Sequence, residues 1–302
     1  MKKNFKKKVI FILGPTAIGK TEVGIEIAKL LKSEIISCDS RQFYKELKIG
    51  TAPPCKKQLN DVKHHFVQHI SIHNNYSAGK FEKDAINKIN EIHKKNDYVI
   101  IVGGSGLYVN AICQGFDNIP NISKEIRTEL IEEFNLKGMK WLQKKVQEIE
   151  KENLQIIDLN NKQRLLRILE VYRQTGMNIS KFQQNKTKKR EFEIVKIGLN
   201  IDRDKLYQKI NSRVNQMVKK GLFIEANSMM NFKEKNALNT VGYKEIYYAI
   251  ENKLSFNATV EEIQKNSRRY AKRQLTWFRK DKDIHWFNPI NKDDIMNFIS
   301  KL

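Results

Sequence analysis

Residues 9–21, VIFILGPTAIGKT, constrain this chain more than any other stretch. Five apolar residues, Val9 to Leu13, predict a short buried strand. Gly14, Pro15, Thr16, Ala17, Ile18, Gly19, Lys20 and Thr21 then satisfy the phosphate-loop pattern G-x-x-x-x-G-K-[ST] at every fixed position. Val23, Ile25, Ile27, Ala28, Leu30 and Leu31 follow at helical spacing. Strand, glycine loop and helix therefore come in the order that a phosphate loop needs. The glycines let backbone N–H groups turn inward on an anion, and the helix N-terminus adds partial positive charge. Lys20 is expected to reach the outer phosphates and the Thr21 hydroxyl to ligate Mg²⁺. The ligand class is a polyphosphate or pyrophosphate.

Glu34 to Ser37 predicts a second strand running into Cys38-Asp39-Ser40-Arg41-Gln42. A strand that ends this way puts polar side chains at its C-terminal edge, where open α/β sheets bind ligands. Asp39 is thus a candidate for chemistry or metal binding, and an Asp that merely caps the next turn is the alternative. Tyr98 to Val102 predicts a third buried strand, ending in Gly103-Gly104-Ser105-Gly106. A phosphate-loop NTPase carries an acidic residue at such a strand end to hold Mg²⁺. Glycine stands there instead, and Ser105 offers a hydroxyl beside the phosphates. His64, His65, His69 and His73 lie in a stretch expected to be mostly loop (45–80). Adjacent histidines on a strand face opposite ways, so packing or hydrogen bonding is the expectation rather than a metal site.

From about Phe116 to Arg190 the pattern turns helical, with amphipathic runs at Glu125–Phe134, Lys140–Glu150 and Asn161–Arg173. The chain is thus predicted to be α/β, a P-loop core with a parallel sheet (1–115 and 191–302), a helical insertion domain (116–190) and C-terminal helices. Lys186 to Arg190 reads as a mobile basic link. The sheet is expected to resume at Phe192–Ile201, followed by a helix bearing Leu206, Ile210, Val214 and Met217 and ended by Gly221. A last long helix, Val260–Arg279, interleaves Arg268, Arg269, Lys272 and Arg273 with Tyr270, Trp277 and Phe278. That mixture suits RNA, where phosphates and unstacked bases are both bound, although for any single residue a core aromatic or a solvated cation is the plainer reading. The net charge of +22 fits a polyanionic partner, and equally a genome biased to Lys, Asn and Ile. The five-residue apolar run near the start is too short for a signal h-region, so no leader or membrane span is expected. Three cysteines without a C-x-x-C pair argue against a disulfide framework or zinc site and fit a reducing cytoplasm.

Taken in order, GPTAIGKT, IISCDSRQ, IGTAPP, HHF, YSAGKF, VGGSGLY, QRLLRILEVYRQTG, the DRDKLYQKINSRVNQMVKKGLFIEA helix, NTVGYKE and AKRQLTWFRK resemble the bacterial tRNA dimethylallyltransferases, or isopentenyl-tRNA transferases, from about Val9 to Phe287. Ser105 departs from the family's usual Thr, and Ile18 stands where Ser is common. The resemblance implies transfer of a dimethylallyl group from its diphosphate to N6 of adenosine 37 in tRNAs reading codons that begin with U. It implies a diphosphate held by Gly14–Thr21, by Lys20, by Thr21-bound Mg²⁺ and by Arg213, with Asp39 as general base and Ser105 as donor to the departing oxygen. It further implies that Asp39, Ser40, Arg41 and Gln42 meet the target base beside Ser105. Arg127 and the segment Gln163, Arg164, Leu165, Leu166 and Arg167 would grip the anticodon stem-loop. Asn239, Thr240, Val241, Gly242, Tyr243, Lys244 and Arg273 would add RNA contacts. The partners expected are the tRNA anticodon stem-loop and dimethylallyl diphosphate, met by a monomer in the cytoplasm. The rival reading is a P-loop kinase acting on a small metabolite.

Overall fold

A computed structural model describes residues 7–183 and 187–302. Six strands form one parallel sheet in the order β3-β2-β4-β1-β5-β6. They are β1 (Lys8–Leu13), β2 (Ile35–Ser37), β3 (His64–His65), β4 (Tyr98–Gly103), β5 (Glu193–Leu199) and β6 (Ile284–Phe287). The helices between them are α1 (Lys20–Leu30), α2 (Lys56–Asp61), α3 (Ala78–His93) and α4 (Gly106–Cys113), then α5 (Lys124–Ile149) and α6 (Lys162–Thr175). After β5 come α7 (Arg203–Lys219), α8 (Leu222–Ser228), α9 (Tyr243–Glu251) and α10 (Phe256–Phe278), and α11 (Lys292–Ser300) follows β6. No described helix is long and apolar enough to cross a membrane.

β1 is central, paired with β4 (Ile10 to Ile100) and with β5 (Ile10 to Val195). A strand buried on both faces needs an unbroken apolar run, which is why VIFIL lacks polar alternation. Val9, Phe11 and Leu13 pack on one face with Phe81, Ile89 and Ile112, whereas Ile10 and Ile12 pack on the other with Val23, Ile27 and Leu206. Because all strands run parallel, the C-terminal ends of β1, β2 and β4 meet at one edge. The chain from β1 reaches β2 by crossing over β4, and such a crossover opens a crevice at that edge.

Two compact units are present, one of Met1–Cys113 with Lys189–Leu302 and one of Gln114–Lys188. The second has its own core, in which Leu130, Leu142 and Val146 meet Leu165, Leu166 and Leu169. Its helix α5 is two helices across Gly138, whose φ of 73° and ψ of −169° are not helical. The link foreseen as mobile begins at Lys186, outside the described residues. Its far end needs correction, because Arg190 is anchored: its guanidinium donates to the Ala111 and Ile112 carbonyls (2.8 and 2.7 Å) and to Glu82 (3.0 Å). The helices α9 and α11 lay outside the sequence reading, and α2 and β3 fall where loop was expected.

Candidate active site

The strand-to-loop turn after β1 is forced by Gly14, whose φ is 144° and whose added Cβ would lie 2.7 Å from the Leu199 carbonyl oxygen. No L side chain fits there. The loop then lines a cavity of about 850 Å³ from Thr16 through Thr21, with Glu22 beyond. Gly14 and Pro15 do not line it, which corrects the expectation that the whole stretch 14–21 faces the anion. Ile18 turns its side chain into the core at 1% exposure and offers only backbone.

Lys20 is held back against its own loop, donating to the Pro15 carbonyl at 2.7 Å. Burial pulls its ammonium down to about 8, with Asp39 opposing and Arg213 adding to the fall. Arg213 on α7 donates to the Thr16 hydroxyl at 3.2 Å, and its own pKa is lowered by burial. Two cations forced close together in a half-buried cavity favour an anion between them.

Asp39 follows β2 and lines the same cavity as Lys20. One carboxylate oxygen accepts from the Arg41 N–H at 3.1 Å, an Asx turn. The capping role weighed from sequence is thus real, and the carboxylate faces the cavity as well. Asp39 also lines a second cavity, of about 440 Å³. Thr16, Ala17, Arg213, Met217, Tyr270 and Gln274 are likewise common to both. The two spaces therefore adjoin along one shared wall that contains the carboxylate. The smaller is walled largely by apolar groups, among them Leu107, Tyr108, Val214, Leu222, Ile263 and Trp277.

The strand end at Gly103 decides what chemistry the crevice can host. A Cβ there would collide with Cys38 Sγ and lie 2.7 Å from the Cys38 carbonyl carbon. β2 and β4 are so close that the acidic residue of a nucleotide hydrolase has no room. The Ser105 hydroxyl accepts the Ser40 N–H and pairs with the Ser40 hydroxyl, both at 3.2 Å. Ser105 lines the smaller cavity alone, beside Asp39 rather than beside Lys20.

A model of the family described as "IPP transferase" matches residues 42–281. This chain belongs to the IPP transferase family. A tRNA dimethylallyltransferase of Christiangramia forsetii is 48% identical over 96% of the chain and 97% of its own length. One from Flavobacterium psychrophilum is 44% identical over 93% of both. The crystal structure of the full-length tRNA isopentenylpyrophosphate transferase from Bacillus halodurans is 35% identical with a TM-score of 0.72, covering 98% of this chain and 96% of that one. The six-stranded parallel fold is thus that of solved IPP transferases.

The remaining expected residues divide. Ser40, Arg41, Asn239, Thr240, Val241, Gly242, Lys244 and Arg273 line the smaller cavity, but Gln42 lines the larger one. Gln42 donates its amide to the Thr51 and Ala52 carbonyls (3.3 and 3.2 Å), and Arg41 donates to those of Asn236 and Asn239 (2.6 and 3.0 Å). Tyr243 corrects its expectation: it is fully buried, and its hydroxyl donates to Glu225 at 2.6 Å. Leu165 and Leu166 are likewise core, so their side chains cannot touch RNA. Gln163 and Arg164 are exposed, whereas Arg127 and Arg167 both pair with the buried Glu170, Arg127 bidentately (2.8 and 3.0 Å).

Two positioning residues escaped sequence reasoning in this IPP transferase. Gln274 on α10 accepts the Thr16 N–H at 2.9 Å and donates to the Gly104 carbonyl at 2.8 Å, tying the P-loop to the end of β4. Glu225 on α8 accepts from three consecutive N–H groups, Lys48, Ile49 and Gly50, at 2.8 to 3.0 Å. It pins the loop whose residues Lys48 to Pro54 wall both cavities. Gln274 lies within AKRQLTWFRK and Glu225 within DRDKLYQKINSRVNQMVKKGLFIEA, but each acts on main-chain atoms far away in sequence, a role the motif does not display.

Proposed function

We propose that the chain transfers the dimethylallyl group of dimethylallyl diphosphate to N6 of adenosine 37 in tRNAs that read codons beginning with U, giving N6-dimethylallyladenosine. The observation that carries this reading is the carboxylate of Asp39 in a wall common to a cationic phosphate cavity and a largely apolar one. The diphosphate lies in the larger space between Lys20 and Arg213, and the flipped adenine enters the smaller. The bond between the allylic carbon and the diphosphate oxygen breaks, and the electron pair leaves with the diphosphate. The N6 nitrogen forms the new bond to that carbon. Its proton passes to Asp39, an assistance of roughly 10²- to 10⁴-fold for a well-placed base. Lys20 and Arg213 offset the charge that gathers on the departing group. Ser105, which the family resemblance implies as donor to the departing oxygen, lines only the adenine side, so on this reading Lys20 and Arg213 carry that role.

The Thr21 hydroxyl beside Lys20 fits a divalent cation. Among the described residues no group of three His, Cys, Asp or Glu side chains supports one, so Mg²⁺ would take its other ligands from diphosphate and water. When bound, Mg²⁺ neutralises charge on the leaving diphosphate. The unit of Gln114–Lys188 grips the anticodon stem-loop on this reading, through exposed Gln163 and Arg164 and the cations Arg127 and Arg167. Asn239 to Lys244 and Arg273 guide the nucleotide. On this reading the chain acts as a monomer, and the tRNA substrate puts it in the cytoplasm.

The test is direct. Purified protein, Mg²⁺, dimethylallyl diphosphate and a mixed tRNA pool are incubated and the nucleosides weighed by mass spectrometry. Adenosine 37 is expected to gain one five-carbon unit. Unmodified adenosine with ATP turnover in its place would instead establish the kinase reading.

A further inference from the structure

We propose that Met217 sets the length of the isoprenyl chain accepted from the donor, admitting five carbons and turning longer chains away. This rests on the reading of the site just given. The wall common to both cavities is the place where the carbon tail must begin, since the diphosphate lies on one side and the attacking nitrogen on the other. Most of that wall is polar or rigid. Thr16, Asp39, Arg213 and Gln274 carry polar groups already engaged with one another or with backbone, and Tyr270 is a ring. Ala17 presents a single methyl. Met217 is the long, flexible apolar side chain of the junction.

Its place along α7 fits the task. Arg213 and Met217 stand four residues apart, hence on one helix face and about 6 Å apart along the helix axis. With Arg213 on the diphosphate, the next turn of the same face meets the first carbons beyond the breaking bond. Leu222 and Ile263 line the smaller cavity with Met217 and are 0% and 1% exposed, fixed in the main core that Met217 packs against. Met217 is only partly buried and packs against that core from the cavity side. An unbranched thioether with three rotatable bonds fills such a gap and sets its depth. Replacement by alanine removes Cγ, Sδ and Cε from the end of the space while leaving Arg213 and Asp39 in place.

The experiment compares dimethylallyl diphosphate with geranyl diphosphate, ten carbons long, on one purified tRNA. The ratio of kcat/KM for the two donors is read from the mass of the modified nucleoside. A hydrophobic wall discriminates by roughly 10- to 200-fold per methylene. Met217→Ala is therefore expected to raise the geranyl-to-dimethylallyl ratio at least tenfold, and Met217→Leu, of similar volume, to leave it near the wild-type value. The ratio is independent of the fraction of protein that is folded. Should the alanine variant be inactive with both donors, Met217→Val carries the same comparison. A ratio within twofold of wild type in the truncated variant overturns the proposal. Wild-type protein that transfers neither chain overturns the functional reading itself, so the two failures are told apart.

Discussion

The two adjoining cavities differ in what lies at their base. The larger has a run of consecutive residues, Thr16 to Val23, at the end of β1, completed by Asp39, Gln42, the 48–54 loop and α7. The smaller takes its wall from separated segments: Asp39–Arg41, Gly50–Thr51, Gly104–Tyr108, α7, Asn239–Lys244 and α10. On the proposed reading, the contiguous loop of the first would hold the anion common to many ligands, and the separated segments of the second would select what the anion is attached to.

The sharpest way to break this contrast is at the one carboxylate among the described residues that line both cavities. Asp39→Ala removes the carboxylate from the shared wall, so single-turnover kinetics are expected to show at least a hundredfold loss while tRNA affinity by filter binding stays within a few-fold. Near-normal turnover would remove Asp39 as the base and with it the link between the cavities.

A smaller effect is expected at Glu225, which touches neither ligand. Glu225→Ala leaves three neighbouring N–H groups and the Tyr243 hydroxyl without their acceptor. The cost is about 1–3 kcal/mol of folding stability, seen as a lower denaturation midpoint. KM for the donor should rise with kcat held near wild type, because the loop it pins walls the phosphate cavity. An unchanged KM would make Glu225 a purely structural residue.

The gentlest probe is pH. Lys20 sits at about 8 in the folded protein against 10.5 when exposed. Donor affinity of the free protein is therefore expected to fall as pH rises through 8, where the ammonium is lost. Bound diphosphate favours the charged form, so binding just above that pH should take up a fraction of a proton, readable by calorimetry in buffers of differing ionisation enthalpy. The stability effect has the opposite sign. Between about 8 and 10.5 the unfolded lysine holds more protons than the folded one, so the unfavourable contribution of Lys20 to folding shrinks as pH climbs.

The same contrast explains what was legible in the sequence. β1, the P-loop and α1 are contiguous, and their pattern is dictated locally by a doubly buried strand and an anion turn. Asp39 was visible because it follows a strand whose end must lie at the ligand edge. Gln274 and Glu225 stand inside two of the motifs, but their roles are not legible there, because an amide or carboxylate that serves backbone atoms far along the chain leaves no periodic trace. The aromatic and basic run of α10 was noticed but not resolved into faces. Phe278 is core at 2% exposure, whereas Trp277 and Arg273 open onto the smaller cavity. The segment 163–167 was taken whole, although helical geometry splits it into exposed Gln163 and Arg164 and buried Leu165 and Leu166. Tyr243 sits in a motif that looks like a surface loop, and only packing reveals that its ring is interior.

The crowding of Gly103 against Cys38 has a further consequence. An acidic side chain introduced at that strand end, as a hydrolase would require, must push β2 aside and carry Asp39 away with it. On the proposed reading, a residue that seated a nucleotide-splitting acid at this strand end would displace the carboxylate that alkylation relies on.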